Sequence, residues 1–121
     1  MARTSRRLRS AGAAAVIGIT FLASGCGSGG GASLAHEVCT EVAKAARLER
    51  QAQRDPEEAR ALRARIVRLL QVAAPNAMVA SSDNSNWDAL SANLNEVGRL
   101  PVRLIFPGLR ADCAPTGVKG T

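Results

Sequence analysis

The sequence predicts an all-α protein, a small bundle of three or four helices closed by one disulfide. Between residues 34 and 113, three segments (34–46, 59–73 and 87–97) repeat apolar residues at every third or fourth position, the spacing of a helix face rather than the alternation of a strand. Helix start and stop signals, such as Asp55-Pro56 and Gly98, divide this pattern into separate segments. Cys39 and Cys113 lie near its two ends and form an even pair of cysteines.

The first helix is expected to begin after Ser33, the N-cap, and to run to about Arg54. Glu37 lies near the positive end of the helix dipole, which favours an acid there. Cys39 lies at the edge of the apolar stripe. That stripe consists of Leu34, Val38, Val42, Ala45 and Ala46.

The second helix is expected to begin at Asp55-Pro56-Glu57-Glu58, where Asp55 caps the helix, Pro56 takes the first helical position and the acids occupy the first turn. Pro75 is expected to end it. Because the connection to the first helix is so short, the two should form an antiparallel hairpin. Its core-facing residues are Ala59, Leu62, Ile66, Leu69, Leu70 and Ala73.

A polar loop at residues 81–86 is expected to lead into a third helix, with Gly98 as its left-handed stop. The apolar residues of that helix are Trp87, Leu90, Leu94 and Val97. Residues 102–106, between two prolines, are predicted to be an extended segment, a turn of helix or both. One more helical turn at 109–113 would return Cys113 to the first helix.

The N-terminal segment has the composition of an export signal. Four arginines lie within residues 1–9, and the thirteen residues of 11–23 are uncharged and mostly apolar or small. A spanning helix needs about 20 apolar residues, so this run suits a cleaved signal better than a permanent span. With Leu22-Ala23-Ser24-Gly25-Cys26, the segment resembles a bacterial lipoprotein signal peptide of the actinobacterial type.

The resemblance implies removal of residues 1–25, a palmitate-type lipid on Cys26, and an anchor on the extracytoplasmic side of the cell membrane. Residues 26–33 would then be the lipidated cysteine and a flexible tether, and 34–121 the helical domain. The mature chain has 12 basic and 10 acidic residues, a net charge of +2. The alternatives are an ordinary secretory peptide cut near Ala23 or Gly25, and an uncleaved anchor.

Cys39 and Cys113 are predicted to form a disulfide, because an even cysteine pair in an exported domain is usually oxidised. Closing a loop of this length stabilises a domain by about 4 kcal/mol in the chain-entropy model. A redox pair or a pair of metal ligands is the alternative. Neither is favoured, because the sequence has no Cys-x-x-Cys motif and only one histidine, His36.

The arginines of the second helix are a candidate contact for anionic lipid headgroups or an anionic wall polymer. The alternative is that they form the solvated outer face that any amphipathic helix needs. These arginines are Arg60, Arg63, Arg65 and Arg68.

A pocket for a small hydrophobic ligand or haem is a second candidate site. His36 is considered separately as a haem ligand but is not favoured, because it falls on the polar side of the first helix and the sequence shows no motif of a haem carrier. The alternative, which the 3-4-3 spacing of Trp87 and the residues after it favours, is that these residues pack in the core. The residues predicted to line this pocket are Trp87, Leu90, Leu94 and Phe106.

The sequence shows no catalytic motif. Its carboxylates are explained by helix capping and by solvated helix faces, and it has no glycine-rich phosphate loop. We therefore expect a protein that is not an enzyme and that needs no metal or cofactor. The low net charge and few aromatic residues do not favour nucleic-acid binding. The leading interpretation is an envelope lipoprotein whose helical domain is an interaction module for another envelope protein. The alternative is a carrier of a hydrophobic ligand or haem.

Overall fold

The computed structural model describes residues 30–121, which form four α-helices and no strand. The predicted signal peptide, Cys26 and residues 27–29 lie outside the described residues. Two short 3₁₀ helices, Ser85–Trp87 and Ala114–Thr116, complete the described structure. The α-helices are α1 (Gly30–Arg54), α2 (Ala59–Asp83), α3 (Asp88–Asn95) and α4 (Val102–Cys113). The prediction of an all-α bundle is confirmed.

Helices α1 and α2 form a long antiparallel hairpin. Each has 25 residues, a length of about 37 Å at 1.5 Å per residue. At one end of the hairpin Gly31 lies against Asp83, and farther along Glu49 is paired with Arg63. The predicted hairpin is confirmed.

The shorter helices pack on one side of this hairpin, and the chain runs alternately up and down the bundle. The Asn93 side-chain amide of α3 donates a hydrogen bond to the Asp112 carboxylate of α4. Cys39 and Cys113 form the predicted disulfide, with a Cα–Cα distance of 5.6 Å, and both residues are fully buried. The bond therefore joins α1 to the end of α4. The large side chains buried in the centre are Val38, Val42, Ile66, Leu70, Leu90, Leu94 and Leu109.

Helix α1 begins at Gly30, and the predicted N-cap at Ser33 is wrong. Gly31 is buried because α1 starts against the last turn of α2. A Cβ atom placed on Gly31 would lie 3.0 Å from the Asp83 Cβ and 3.3 Å from the Ala80 carbonyl oxygen. Residues 30–33, predicted as tether, are thus part of the bundle, because glycine lets the two backbones approach closely.

Replacing Gly31 with valine is expected to destabilise the domain by about 1–3 kcal/mol, since overpacking forces neighbouring backbone to shift. The measurement is urea unfolding followed by circular dichroism. Gly30→Ala is the control, because its added Cβ would meet only the end of the flexible Asp83 side chain. Equal stability of Gly31→Val and the parent protein would show that residues 30–33 do not pack against α2.

Two prolines lie inside helices. Pro75 does not end α2, which continues to Asp83, and Pro107 lies within α4. Each proline removes one helical hydrogen bond to the carbonyl four residues earlier. Both rings are exposed, so the freed carbonyls of Gln71 and Arg103, also on exposed residues, can bond water. Buried residues before and after each proline hold the two halves of the helix against the core.

The remaining helix boundaries differ from the predictions by a few residues. α2 begins at Ala59, not at Pro56, and the predicted cap at Asp55 is replaced by a turn in which the Glu58 N–H donates to the Asp55 carbonyl. Trp87 ends a 3₁₀ turn that precedes α3. Gly98 has a φ of +96°, as the predicted left-handed stop requires. Residues 102–113 form one helix, which resolves the alternatives left for that segment.

Candidate functional site

One face of the α1–α2 hairpin carries two adjoining open grooves that only these two helices line. The larger, which we call the apolar groove, has a volume of about 670 Å³. The second, which we call the basic groove, has a volume of about 550 Å³. Arg65 and Leu69 line both. The grooves therefore form one continuous surface, on a side of the hairpin that α3 and α4 do not cover.

The basic groove contains five cations and no acid. It is lined by Lys44, Arg47, Leu48, Arg50, Gln51, Arg54, Arg65 and Leu69. The Lys44 ammonium forms an ion pair with the Glu41 carboxylate at 2.8 Å. Within residues 30–121, none of its four arginines forms an ion pair. Their positive charge is thus free to act on a bound molecule.

The apolar groove has a hydrophobic floor between an α1 wall and an α2 wall, with its acids toward the Gly30 end and its arginines toward the other end. Leu69 and Ala73 line the floor, and the Val72 side chain beside them is 79% exposed. Glu37 and Glu41 belong to the α1 wall. Arg65 and Arg68 belong to the α2 wall.

Charge is segregated along the hairpin. In the half next to Gly30, the ionised groups of α1 and α2 are acids, namely Glu37, Glu41 and Asp83. All eight cations of the two helices lie in the other half: Lys44, Arg47, Arg50, Arg54, Arg60, Arg63, Arg65 and Arg68. The basic groove is therefore at the end of the bundle remote from residue 30.

The four arginines predicted as an anionic contact are all exposed, but they do not act as one set. Arg63 donates to both carboxylate oxygens of Glu49, from Nη2 at 3.0 Å and from Nε at 3.3 Å. These hydrogen bonds, together with the attraction of the Glu49 charge, raise the pKa of the Arg63 guanidinium. Arg65 lines both grooves, Arg68 lines only the apolar one, and Arg60 is exposed near the start of α2.

The four residues predicted to line a ligand pocket are part of the hydrophobic core: Trp87, Leu90, Leu94 and Phe106 are all buried. None of them lines either groove. Packing in the core is the alternative that their helical spacing favoured, and Phe106 also lines a small groove between α1 and α4. The Trp87 Nε1–H is buried in the core without a hydrogen-bond partner.

His36, considered as a haem ligand, is exposed on α1. Residues 30–121 contain no group of three or more histidine, cysteine, aspartate or glutamate side chains that could hold a metal ion. In the same part of the chain, no helix has the length and hydropathy needed to span a membrane.

The arginines of α1 are the site residues that sequence reasoning missed. Arg47, Arg50 and Arg54 recur at three- and four-residue spacing and so share one side of the helix. That spacing could have identified these arginines, but an ordinary solvated helix face has the same spacing. Only the antiparallel pairing brings Arg65 of α2 beside them.

Comparison of the chain with models of protein families, with curated proteins and with solved structures finds no match.

Proposed function

We propose that this protein is an envelope lipoprotein, anchored to the membrane through a lipid on Cys26, whose helical domain binds an acidic surface of another envelope protein. One observation carries the proposal: five cations and no acid line a groove at the end of the hairpin remote from residue 30. The lipid assignment rests on the resemblance of residues 1–26 to a lipoprotein signal peptide.

The position of Cys26 relates the basic groove to the membrane. Only three residues separate Cys26 from Gly30, so even a fully extended chain spans about 14 Å between them. The Gly30 end of the hairpin then lies next to the lipid. Arg47 is about 26 Å farther along α1 at 1.5 Å per residue. That exceeds the screening length of about 8 Å at physiological salt, so an upright hairpin directs the groove away from the lipid headgroups.

An acidic protein surface suits this groove better than an anionic wall polymer does. Leu48 and Leu69 are half-buried beneath the cations and offer apolar contact. Arginine is enriched at protein interfaces, since its planar guanidinium pairs with a carboxylate through two hydrogen bonds. A polymer with phosphate groups alone would leave the leucines unused.

The anchor is tested by the intact mass of the protein purified from its native membrane. We expect a mass equal to residues 26–121 plus acyl chains, less two hydrogens for the disulfide. Cys26→Ser should carry no acyl mass, whereas the neighbouring Ser28→Ala control should remain acylated. A parent protein that retains residues 1–25, or that lacks acyl chains, would contradict the anchor.

The basic groove is tested by the affinity of the mature protein for a synthetic helical peptide with leucines flanked by glutamates. Removing three charges with Arg47→Gln, Arg50→Gln and Arg54→Gln should weaken binding about tenfold or more, because each arginine loses a carboxylate partner. A charge-matched control is Arg60→Gln, Arg99→Gln and Arg103→Gln. All three of these residues are exposed and lie outside the groove.

The control should weaken binding only about twofold, through long-range attraction. An equal loss in both triple variants would show that net charge, not the groove, binds the peptide. Poly(glycerol phosphate) and vesicles with anionic headgroups are the competing probes. Tighter binding to either of them than to the peptide would contradict a protein partner.

A further inference from the structure

The apolar groove leaves hydrophobic surface exposed along α2. Val72 is the most exposed large hydrophobic residue of the described chain, and Val79 is 53% exposed. At 100° per residue, these two valines lie within about 20° of each other around the helix. Val72 lies beside Leu69 in the groove, and Val79 lies farther along α2, beyond Asn76 at the end of the groove. Exposed apolar surface bordered by charged residues is typical of a protein interaction site.

The acids and arginines beside this apolar surface have opposite charges but form no ion pairs with one another. Glu37 and Glu41 are on the α1 wall, and Arg65 and Arg68 are on the α2 wall. Neither arginine forms an ion pair within the described residues, and Glu41 pairs with Lys44 on its own helix. The groove thus carries two acids and two arginines. Of these four, only Glu41 has an ion-pair partner within the described residues, the exposed Lys44.

We propose that the apolar groove binds the same groove of a second copy, forming a two-fold symmetric dimer. In a two-fold interface each copy contributes the same patch, so a contact from residue i to residue j occurs twice. The acidic wall of each copy faces the arginine wall of the other, and Val72 of both copies is covered near the axis. The proposal does not rest on the lipid anchor, and the only residues that it shares with the basic groove are Arg65 and Leu69.

A second copy is the occupant that matches both signs of charge at once. An anionic lipid surface would pair with Arg65 and Arg68 but would face Glu37 and Glu41 with like charge. A small apolar ligand would leave all four charges without partners. The same groove of a second copy offers arginines for the acids, acids for the arginines and apolar surface for Val72.

The experiment measures co-purification of two full-length chains that carry different C-terminal tags, expressed together and extracted in mild detergent. One variant, acid-reversed, has Glu37→Arg and Glu41→Arg. The other, base-reversed, has Arg65→Glu and Arg68→Glu. Each variant paired with itself places like charges together at both contacts, so recovery of the second tag should fall about tenfold or more.

The acid-reversed chain paired with the base-reversed chain restores opposite charges at both contacts, so its co-purification should return to within about twofold of the parent pair. A merely misfolded variant would not be rescued in this way. Circular dichroism checks that each variant keeps its helix content.

Val72→Asp should also reduce co-purification about tenfold, because it places a charge at the apolar centre. Its matched control is Leu104→Asp, since Leu104 is 61% exposed on α4 and lies outside the groove. A parent protein that does not co-purify with itself would overturn the proposal. So would failure of the two reversed variants to associate, or co-purification unaffected by any of these substitutions.

Discussion

Replacing Cys39 and Cys113 together with serine is expected to lower the free energy of unfolding by about 4 kcal/mol. The disulfide closes a loop with a sequence separation of 74 residues and joins α1 to the end of α4. Without it, the unfolded chain gains the conformational freedom of that loop. Because domains of this size are stable by only about 5–15 kcal/mol, the loss removes a large part of the total.

The measurement is urea unfolding of the parent and of the double serine variant, followed by far-ultraviolet circular dichroism. Reduction of the parent protein with dithiothreitol should lower its urea midpoint by about as much as the two serine substitutions do. Dithiothreitol should leave the urea midpoint of the double serine variant unchanged, which separates loss of the disulfide from other effects of the reductant. A loss of less than about 1 kcal/mol would show that the bond constrains the unfolded chain far less than its loop length predicts.

Leu109→Ala is expected to destabilise the domain by about 2–5 kcal/mol, because the lost methyl groups leave a cavity that the core fills only in part. The Leu109 side chain is fully buried on α4. On the same helix Leu104 is 61% exposed, so Leu104→Ala should change stability by only about 0.5 kcal/mol or less. The two leucines are thus a matched pair with very different expected effects.

Thermal and urea unfolding of the two leucine variants test the placement of α4. A loss at Leu109 that exceeds the loss at Leu104 by about 2 kcal/mol or more is the expected result. Equal effects would mean that residues 102–113 do not present Leu109 to the core. This segment is the one for which the sequence left an extended conformation open.

Much of the fold could be predicted from local patterns. The period of the apolar residues predicted α1, most of α2 and the Leu90–Leu94 face of α3, because one helix face must be buried whatever it packs against. The short connection after Arg54 predicted an antiparallel hairpin. The disulfide followed from an even pair of cysteines in a chain with an export signal.

The errors fall where packing overrides local preference. Pro75 lowers the stability of an isolated helix, but Ala73 and Ala77 on either side of it are buried, and this contact holds α2 together. Glycine is flexible in an unstructured chain, yet at Gly31 its missing side chain permits close packing against α2. Neither outcome can be predicted from the sequence without knowing which helix packs beside Pro75 or Gly31.

The candidate site was only partly predictable for the same reason. The arginines of α2 were identified, but Arg63 is engaged by Glu49, fourteen positions earlier in the chain. Arg47, Arg50 and Arg54 join Arg65 only when α1 and α2 pair antiparallel. Trp87 and Leu90, candidate pocket residues, pack in the core, which is the alternative that their helical spacing favoured.

The sequence by itself determined the helical class, the hairpin, the cysteine pair and the charge of each helix face, because these depend on residues close together along the chain. Only the tertiary structure decided which charged faces meet, where α1 begins, and that α2 continues past Pro75. These features depend on contacts between residues far apart in sequence, and helical periodicity carries no information about the neighbour that a face will meet.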